Sequence, residues 1–145
     1  MLVEILAIGK LKDRALQARC EEYLSWLGAY GKVRLELLPD SGKAREGVAL
    51  LKRLEKERGA RVIALAEEGR EFTSVELASH LGAIQSKIVL VIGGPDGLAP
   101  EVKMRADELW SLSRLTFTHE IARLLVLEQL FRAQNILHGG HYHRE

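Results

Sequence analysis

The last eight residues of the chain read HGGHYHRE, and they concentrate side chains that can do chemistry. His138, His141 and His143 could hold a catalytic zinc ion, because three nearby imidazoles can satisfy that metal. The glycines leave the geometry of such a site unfixed, and no carboxylate that would orient the imidazoles is evident. Otherwise the segment is a loose polar tail, or it is ordered because another ligand binds there, with Tyr142 and Arg144 as further candidate residues.

A second candidate site lies in the segment KIVLVIGGPDG, where a strand-like run leads into a glycine-rich loop. Ligands of open α/β sheets bind beyond the carboxyl ends of the strands. Gly93 and Gly94 would let the backbone approach such a ligand closely. A plain tight turn explains the same residues equally well, because Pro-Asp-Gly favours turns.

The segment SLSRLT offers hydroxyl and backbone groups to a ligand just before the last helical pattern, or forms an ordinary polar turn. Several named motifs are missing from the sequence. It has no G-x-G-x-x-G after the first strand, no G-K-[ST] phosphate loop and no G-x-S-x-G elbow. These absences disfavour an ordinary dinucleotide-binding fold, an ATPase and a serine hydrolase.

Length and composition indicate one compact domain over residues 1–145, since 47% hydrophobic and 28% charged residues are typical of globular proteins. The single cysteine, Cys20, excludes an internal disulfide and a multi-cysteine zinc site. The start MLVEILAIGK resembles a first strand rather than a signal peptide, and no apolar run is long enough for a membrane span. We therefore expect a cytoplasmic protein.

The net charge of +1 conceals an asymmetry between the two halves of the chain. Residues 1–61 carry 13 Lys and Arg against 9 Asp and Glu, whereas residues 62–145 carry 8 against 11. A nucleic-acid partner would therefore meet the first half. An ordinary solvated helix face explains the same excess of basic residues.

Strand-like runs alternate with helical patterns along the whole chain. The predicted strands are residues 2–9, 33–38, 61–66, 87–93 and 109–113, and the predicted helices are 13–30, 43–58, 74–85, 98–108 and 118–138. This alternation predicts an α/β fold with a mainly parallel sheet and helices on both faces. Thr73 and Glu76 form a capping box at one helix start, and Pro100 suits the first turn of another.

The last helix lacks a clear polar face. Ile121, Leu125 and Phe131 lie on one side, whereas Val126 and Leu130 lie on nearly the opposite side. A helix that is apolar all round is buried all round. In so short a chain the second cover is expected to be another subunit, which predicts a homodimer with this helix in a twofold interface.

Glu128 and Arg132 are four residues apart on the same side of this helix, a spacing that favours an ion pair. Apolar neighbours would partly desolvate the pair and make its loss costly. Two interpretations stay open: the pair supports a site, or it is an ordinary surface ion pair.

The segments VIGGPDGL, SLSRLTFTHEIARLLVLEQLFRAQNI and YHRE, in that order, resemble the RlmH (YbeA) family of ribosomal RNA methyltransferases in the SPOUT superfamily. The resemblance is colinear over essentially the whole chain. It includes AIGKLKD near the start and ALAEEGREFTSVELA in the middle.

This resemblance implies S-adenosylmethionine as methyl donor, without a metal. The implied acceptor is N3 of a pseudouridine in 23S rRNA of the large subunit, in assembled ribosomes. The resemblance also implies a deep trefoil knot at the C-terminal side of the sheet. Periodicity gives no hint of a knot, because threaded connections are among the rarest topologies.

The resemblance also assigns site residues. For the cofactor pocket these are Leu65, Gly94, Leu112, Ser113, Arg114, Leu115, Thr116 and Phe117. Tyr142 and His143 would form the tail of the site, with Arg132 and Arg144 available for a phosphate or the acceptor carbonyl. His143 is the candidate base for the N3 proton, since a neutral histidine accepts protons near neutral pH. Tyr142 would stack on an RNA base, in a pocket formed with the other subunit.

The sequence departs from the family pattern at three positions: Ala66 where aspartate is common, Thr118 where proline is common and Phe131 where tyrosine is common. The leading hypothesis is thus a pseudouridine methyltransferase. A non-catalytic ribosome-associated or assembly module with the same fold is the alternative. A metal-dependent hydrolase built on the histidine tail is a third hypothesis.

Overall fold

The computed structural model of the chain describes residues 1–144, and Glu145 lies outside the described residues. In chain order the elements are β1 (Leu2–Ile8), α1 (Arg14–Leu27), a short 3-10 helix (Gly28–Tyr30), β2 (Lys32–Leu38), α2 (Lys43–Leu54), β3 (Arg61–Arg70), α3 (Ser74–Ala83), β4 (Ile88–Ile92), α4 (Pro100–Arg105), β5 (Glu108–Trp110) and α5 (His119–Leu137). The predicted alternation of strands and helices is confirmed.

The five strands form one parallel sheet in the spatial order β2-β1-β4-β3-β5. Leu90 in the central strand β4 lies opposite Ile5 of β1 and Ile63 of β3. The expected parallel sheet is therefore confirmed. Because all strands run the same way, their carboxyl ends meet at one edge, where the loops that follow them can form a ligand site.

Alternate side chains along the strands enter two separate cores, one on each face of the sheet. Ile5, Ile63 and Leu90 belong to the core beneath α1, α3 and α5. Leu6 and Val89 belong to the other core, beneath α2 and α4. This burial on both faces explains why the central strands read as continuous apolar runs in the sequence.

Helix α5 packs on the sheet with one side only. Val126, Leu127 and Leu130 are buried against the sheet, whereas Ile121, on the opposite side of the helix, remains 40% exposed. Within its own chain the helix is therefore half covered rather than buried all round. Neither α5 nor any other helix within residues 1–144 is long and apolar enough to cross a lipid bilayer.

Three of the helices, α1, α3 and α5, begin at residues whose side chains bind free backbone N–H groups. The Asp13 carboxylate accepts hydrogen bonds from the amides at the start of α1, and Thr118 caps α5. Thr73 and Glu76 form the predicted capping box of α3. Pro100 occupies the first turn of α4, as predicted. These local signals fixed the helix starts more closely than the helix ends.

Helix α2 ends at Leu54, four residues earlier than the periodicity predicts. The chain then turns so that the Glu57 carboxylate is buried between Arg53 and Lys87, accepting hydrogen bonds of 2.8 and 3.0 Å. Arg53 and Glu57 are four residues apart, a spacing that a continued helix would also bring together, so their ion pair does not end α2. The Glu57 amide donates a 3.0 Å hydrogen bond to the Leu54 carbonyl, and Gly59 follows in a left-handed conformation that is common after a helix end.

Strand β3 continues four residues past its predicted end and bends so that both Leu65 and Arg70 pair with Trp110 of β5. The bend brings Gly69 against the backbone of β5. A Cβ at Gly69 would lie 2.6 Å from the carbonyl carbon of Leu109. Only glycine permits this close approach, which fixes where the end of β3 crosses β5.

Replacing Gly69 with alanine should lower the free energy of unfolding by about 2–3 kcal/mol, because the added methyl group must displace backbone atoms. Denaturant unfolding followed by circular dichroism measures this loss. Gly28→Ala is the matched control, since a Cβ there meets nothing within 4 Å, and its effect should be below about 1 kcal/mol. Equal stability of the two variants would contradict the close approach.

Candidate functional site

A cleft of about 410 Å³ opens at the carboxyl edge of the sheet. The loops that follow β3, β4 and β5 form its walls, and the first turn of α5 contributes His119 and Ala122. Seven of the eight expected cofactor residues line it, namely Leu65, Gly94, Leu112, Ser113, Leu115, Thr116 and Phe117. Three segments that are distant in sequence thus meet because their strands are parallel and adjacent.

The eighth expected residue, Arg114, does not line the cleft. Its side chain is 91% exposed and makes an ion pair with Glu71, with Nε 3.5 Å from the carboxylate oxygen. Arg114 is thus the one residue of the 112–117 loop that does not line the cleft.

The glycine loop is both a tight turn and a wall of the cleft. The Gly97 amide donates a 3.0 Å hydrogen bond to the Gly94 carbonyl, with Pro95 at the first corner. A Cβ on Gly94 would lie 3.0 Å from the Ile8 side chain and 3.0 Å from the Glu46 carboxylate. A side chain at position 94 would therefore be crowded by its neighbours within the chain, whether or not a ligand also approaches the backbone.

Hydroxyl groups hold the loop between β5 and α5 in place. The Thr116 hydroxyl donates a 2.8 Å hydrogen bond to the carboxylate of Glu67, which lies in the second half of β3. Ser111 donates to the Ser113 carbonyl, and the Ser113 hydroxyl accepts from the Leu115 amide. The segment SLSRLT is thus a folded polar turn that also lines the cleft, which combines its two open interpretations.

The acidic residues on the cleft wall have partners. Besides Glu67, Glu68 accepts a hydrogen bond from Lys103 at 2.6 Å. This hydrogen bond holds the pKa of Glu68 below its ordinary value. Lys103 therefore balances part of the negative charge on this wall of the cleft.

An apolar cavity of about 360 Å³ adjoins the cleft and shares with it Leu65, Leu112 and Phe117. It continues between α3 and α5, where Leu77 and Leu125 line it. A polar cleft that continues into an apolar recess suits a ligand with a polar end and a flat apolar end.

The C-terminal tail is tied to the outer side of α5 and to α1. The Tyr142 hydroxyl lies 3.1 Å from the Tyr23 hydroxyl and donates a 3.2 Å hydrogen bond to Glu128. Its backbone amide donates to the Asn135 side chain at 2.9 Å. Gly140 permits this path, because a Cβ there would lie within 2.5 Å of Asn135. The tail is therefore ordered through Tyr142.

Arg132 connects Glu128 to His143. It donates two hydrogen bonds to the Glu128 carboxylate, which raise the pKa of Arg132, and its Nη1 lies 3.2 Å from His143 Nδ1. The guanidinium also lies over the Tyr142 ring, 4.8 Å from its centroid. The predicted Glu128–Arg132 pair is confirmed, and it belongs to a network with the tail.

The contact with Arg132 determines the hydrogen-bonding state of His143. Arg132 can only donate, so His143 Nδ1 accepts and Nε2 carries the proton of the neutral ring. Nε2 is buried and has no hydrogen-bond partner within residues 1–144. In this conformation His143 offers a donor at Nε2, and a base at that atom requires the tautomer to change.

The remaining tail residues have simpler surroundings. Arg144 and His141 are exposed. His138 packs on Tyr30 with ring centroids 4.8 Å apart and bonds to the Gln134 carbonyl. Within residues 1–144, no group of three or more His, Cys, Asp or Glu side chains is arranged to hold a metal ion.

The cleft and the tail lie at opposite ends of α5. Ala122 lines the cleft, whereas Arg132 is ten residues further along the helix, about 15 Å at the standard rise. The four expected catalytic residues are absent from the cleft lining. One chain therefore brings together Arg132, Tyr142 and His143, but not with its own cofactor cleft.

Sequence reasoning missed Tyr23, Asn135 and Glu67 as functional neighbours. Tyr23 lies in α1 among core residues, and its partner Tyr142 is 119 residues away. No local pattern links such distant positions. Asn135 is the only asparagine in the chain, but the sequence does not show that its side chain holds the tail, because that contact depends on the tertiary fold.

Comparison with known proteins places the chain among methyltransferases. A family described as "Predicted SPOUT methyltransferase" matches residues 1–143. Ribosomal RNA large subunit methyltransferase H from Gloeobacter violaceus is 41% identical, with 99% of each chain covered. The protein of the same name from a Synechococcus species is 46% identical, with 98% of this chain and 94% of the relative covered.

Two solved structures show the same fold at low sequence identity. The tRNA (m1G37) methyltransferase from Aquifex aeolicus has a TM-score of 0.59 at 16% identity, covering 91% of this chain and 70% of that one. The SpoU methyltransferase AviRb from Streptomyces viridochromogenes, in complex with AdoMet, has a TM-score of 0.52 at 12% identity. That match covers 97% of this chain and 59% of AviRb.

Burial, the hydrogen bond with Tyr23 and the charge of Glu128 raise the pKa of Tyr142 far above its ordinary value. The protonated Tyr142 hydroxyl therefore contributes fully to stability below pH ~10, where tyrosine in the unfolded chain begins to ionise. This contribution is lost as the pH rises toward the pKa of Tyr142 in the folded chain. The free energy of unfolding should fall more steeply above this pH in the wild type than in Tyr142→Phe. Parallel curves would contradict the buried hydroxyl network.

Proposed function

We propose that this chain methylates N3 of a pseudouridine in large-subunit rRNA. The chain belongs to the SPOUT methyltransferase family and, within it, to the RlmH group of large-subunit rRNA methyltransferases. The proposed methyl donor is S-adenosylmethionine, and the proposed substrate is the assembled ribosome in the cytoplasm. The observation that supports this function best is the cleft at the carboxyl edge of the sheet, lined by the loops after β3, β4 and β5.

The cleft fits the proposed donor in size and chemistry. Its volume of about 410 Å³ lies within the range of small-molecule sites. Leu65, Leu112 and Phe117 would cover the adenine, since they also border the apolar recess. Backbone groups of the glycine loop and of the 112–117 loop would hold the polar groups. No metal is required for this arrangement.

We further propose that the active form is a homodimer in which the tail of one subunit completes the cleft of the other. Three observations support this arrangement: the cleft and tail are about 15 Å apart along α5, the exposed Ile121 lies on the side of α5 opposite its buried residues, and His143 Nε2 is buried without a partner within residues 1–144. The family's deep trefoil knot is part of the same proposal, with the bend at Gly69 as the tight crossing.

In the proposed reaction, S-adenosylmethionine supplies a methyl group activated by its positively charged sulfur. The residues of this chain position the acceptor, because an in-line transfer depends mainly on alignment. Tyr142, held by Tyr23 and Glu128, would stack on an RNA base as a protonated phenol. Arg132 and Arg144 would bind a phosphate or the acceptor carbonyl.

The N3 proton must pass to a base before or during transfer, and His143 is the proposed acceptor of that proton. As it lies, His143 presents an N–H at Nε2 because Arg132 occupies Nδ1. Release of Arg132 toward the RNA would let the tautomer change and free Nε2 to accept the proton directly or through water. The same movement would couple substrate binding to activation of the base.

The first test measures transfer of labelled methyl groups from S-adenosylmethionine to ribosomes that lack the modification. We expect label in large-subunit rRNA, at N3 of a pseudouridine. Matched free rRNA and ribosomes lacking pseudouridine are the controls, and neither should accept label. Binding of S-adenosylmethionine without transfer to any ribosome would instead favour a non-catalytic ribosome-associated or assembly module.

A mixing experiment tests the shared site. One variant lacks residues 141–145, and the other carries Thr116→Trp, which fills the cleft from an exposed position. Each should be inactive alone, while a re-equilibrated equal mixture should recover about a quarter of wild-type activity, since half the dimers would hold one complete site. A mixture that stays inactive while forming mixed dimers would contradict a site built from two chains.

A further inference from the structure

Five exposed basic residues lie in the loop that follows β1 and in the first turns of helices α1 and α2. We call Lys10, Lys12, Arg14, Lys43 and Arg45 the basic rim. Within residues 1–144, none of their side chains makes an ion pair or a hydrogen bond with another side chain. Other basic residues, such as Arg53, Lys87 and Lys103, are paired with carboxylates.

The backbone of the β1–α1 loop is held in place. The buried guanidinium of Arg123 donates hydrogen bonds of 3.0 and 2.9 Å to the carbonyls of Ile8 and Gly9. The Glu120 carboxylate accepts from the Lys12 amide. The loop therefore presents its basic side chains from a fixed backbone, which lowers the entropy lost when a partner binds.

Most of the acidic residues around the rim are directed at backbone amides of this chain. Asp13 caps α1, and Glu120 binds the Lys12 amide. Glu46 is buried and accepts from the Ser41 and Gly42 amides. Asp40 is exposed beside Gly9, and Asp96 is exposed where it lines the cleft with Lys43. None of these carboxylates pairs with a rim cation within residues 1–144, so the five cations are available to a partner.

The basic rim borders the cleft on two sides. Gly94 of the cleft wall packs against Ile8, the last residue before the β1–α1 loop. Lys43 itself lines the cleft. On the other side of the cleft, Glu120 follows the cleft residue His119 and holds the β1–α1 loop by accepting a hydrogen bond from the Lys12 amide. A polymer whose reactive base enters the cleft would pass over these cations.

We propose that the basic rim binds the phosphate backbone of the rRNA strand that delivers its base to the cleft. This inference rests on the proposed function. The five cations are spread over one loop and the first turns of two helices rather than gathered around one enclosed pocket, which suits an extended polyanion better than a single small anion. The rim also accounts for the excess of positive charge in residues 1–61.

The test compares charge reversal at the rim with charge reversal elsewhere. Lys10→Glu, Lys12→Glu and Arg14→Glu are combined in one variant, and Lys43 is left unchanged because it lines the cleft. The matched control combines Lys56→Glu, Arg58→Glu and Arg105→Glu. These three residues are exposed and lie near the amino ends of β3 and β5, at the opposite edge of the sheet.

Equilibrium binding to ribosomes is measured at several salt concentrations. The rim variant should bind at least about tenfold more weakly, and the slope of log affinity against log salt should fall by about 3 in magnitude. The control should match the wild type, and both variants should bind S-adenosylmethionine like the wild type. Equal ribosome affinity of the rim variant and control would overturn the proposal.

Ribosome binding and methyl transfer are measured separately, so the rim proposal and the proposed activity can fail independently. If the wild type binds ribosomes but transfers no methyl group, the proposed reaction fails while the two variants still decide the role of the rim. If the wild type does not bind ribosomes, the rim proposal is overturned. Should the triple variant unfold, the single change Lys10→Glu replaces it, with an expected loss of about one in the salt slope.

Crosslinking identifies the partner of the rim. Cys20 is the only cysteine and is buried, so a photoreactive maleimide would label the variant Lys10→Cys selectively. Crosslinks from position 10 to large-subunit rRNA support the proposal, with Lys56→Cys as the matched control. Crosslinks only to ribosomal protein would overturn it.

Discussion

The guanidinium of Arg123 is buried between α5 and the carboxyl end of β1, where it binds the carbonyls of Ile8 and Gly9. Burial lowers its pKa from the ordinary value, and its Nε has no partner within residues 1–144. A buried cation held by carbonyls fixes both groups closely, because moving it would leave charge and carbonyls unsatisfied. This contact sets α5 relative to the sheet, and the cleft, the tail and the basic rim all depend on that placement.

Helix α5 divides the chemistry between its two ends. Its first turn borders the cleft, while Glu128 and Arg132 hold Tyr142 and His143 further along. A rigid helix cannot bring these ends together, so cofactor residues and tail residues of one chain stay apart. The proposed dimer resolves this separation, and it would cover the open side of α5 at the same time.

Much of the fold followed from local signals. Apolar runs predicted all five strands, and the side chains of Asp13, Thr73 and Thr118 begin helices in the structure. Element ends were harder to predict: α2 stops at Leu54, four residues before its periodic pattern ends, and β3 runs on to pack against β5 at Gly69. The extension of β3 depends on a partner that is distant in sequence.

The sequence by itself determined the alternation of strands and helices, the glycine loop and, through its family resemblance, seven residues that line one cleft. Only the tertiary structure decided that Arg114 points away, that Tyr23 holds Tyr142 across 119 residues, and that the tail lies far from its own cleft. The physical reason is range: periodicity, caps and turns act between near neighbours, whereas these contacts depend on how whole elements pack.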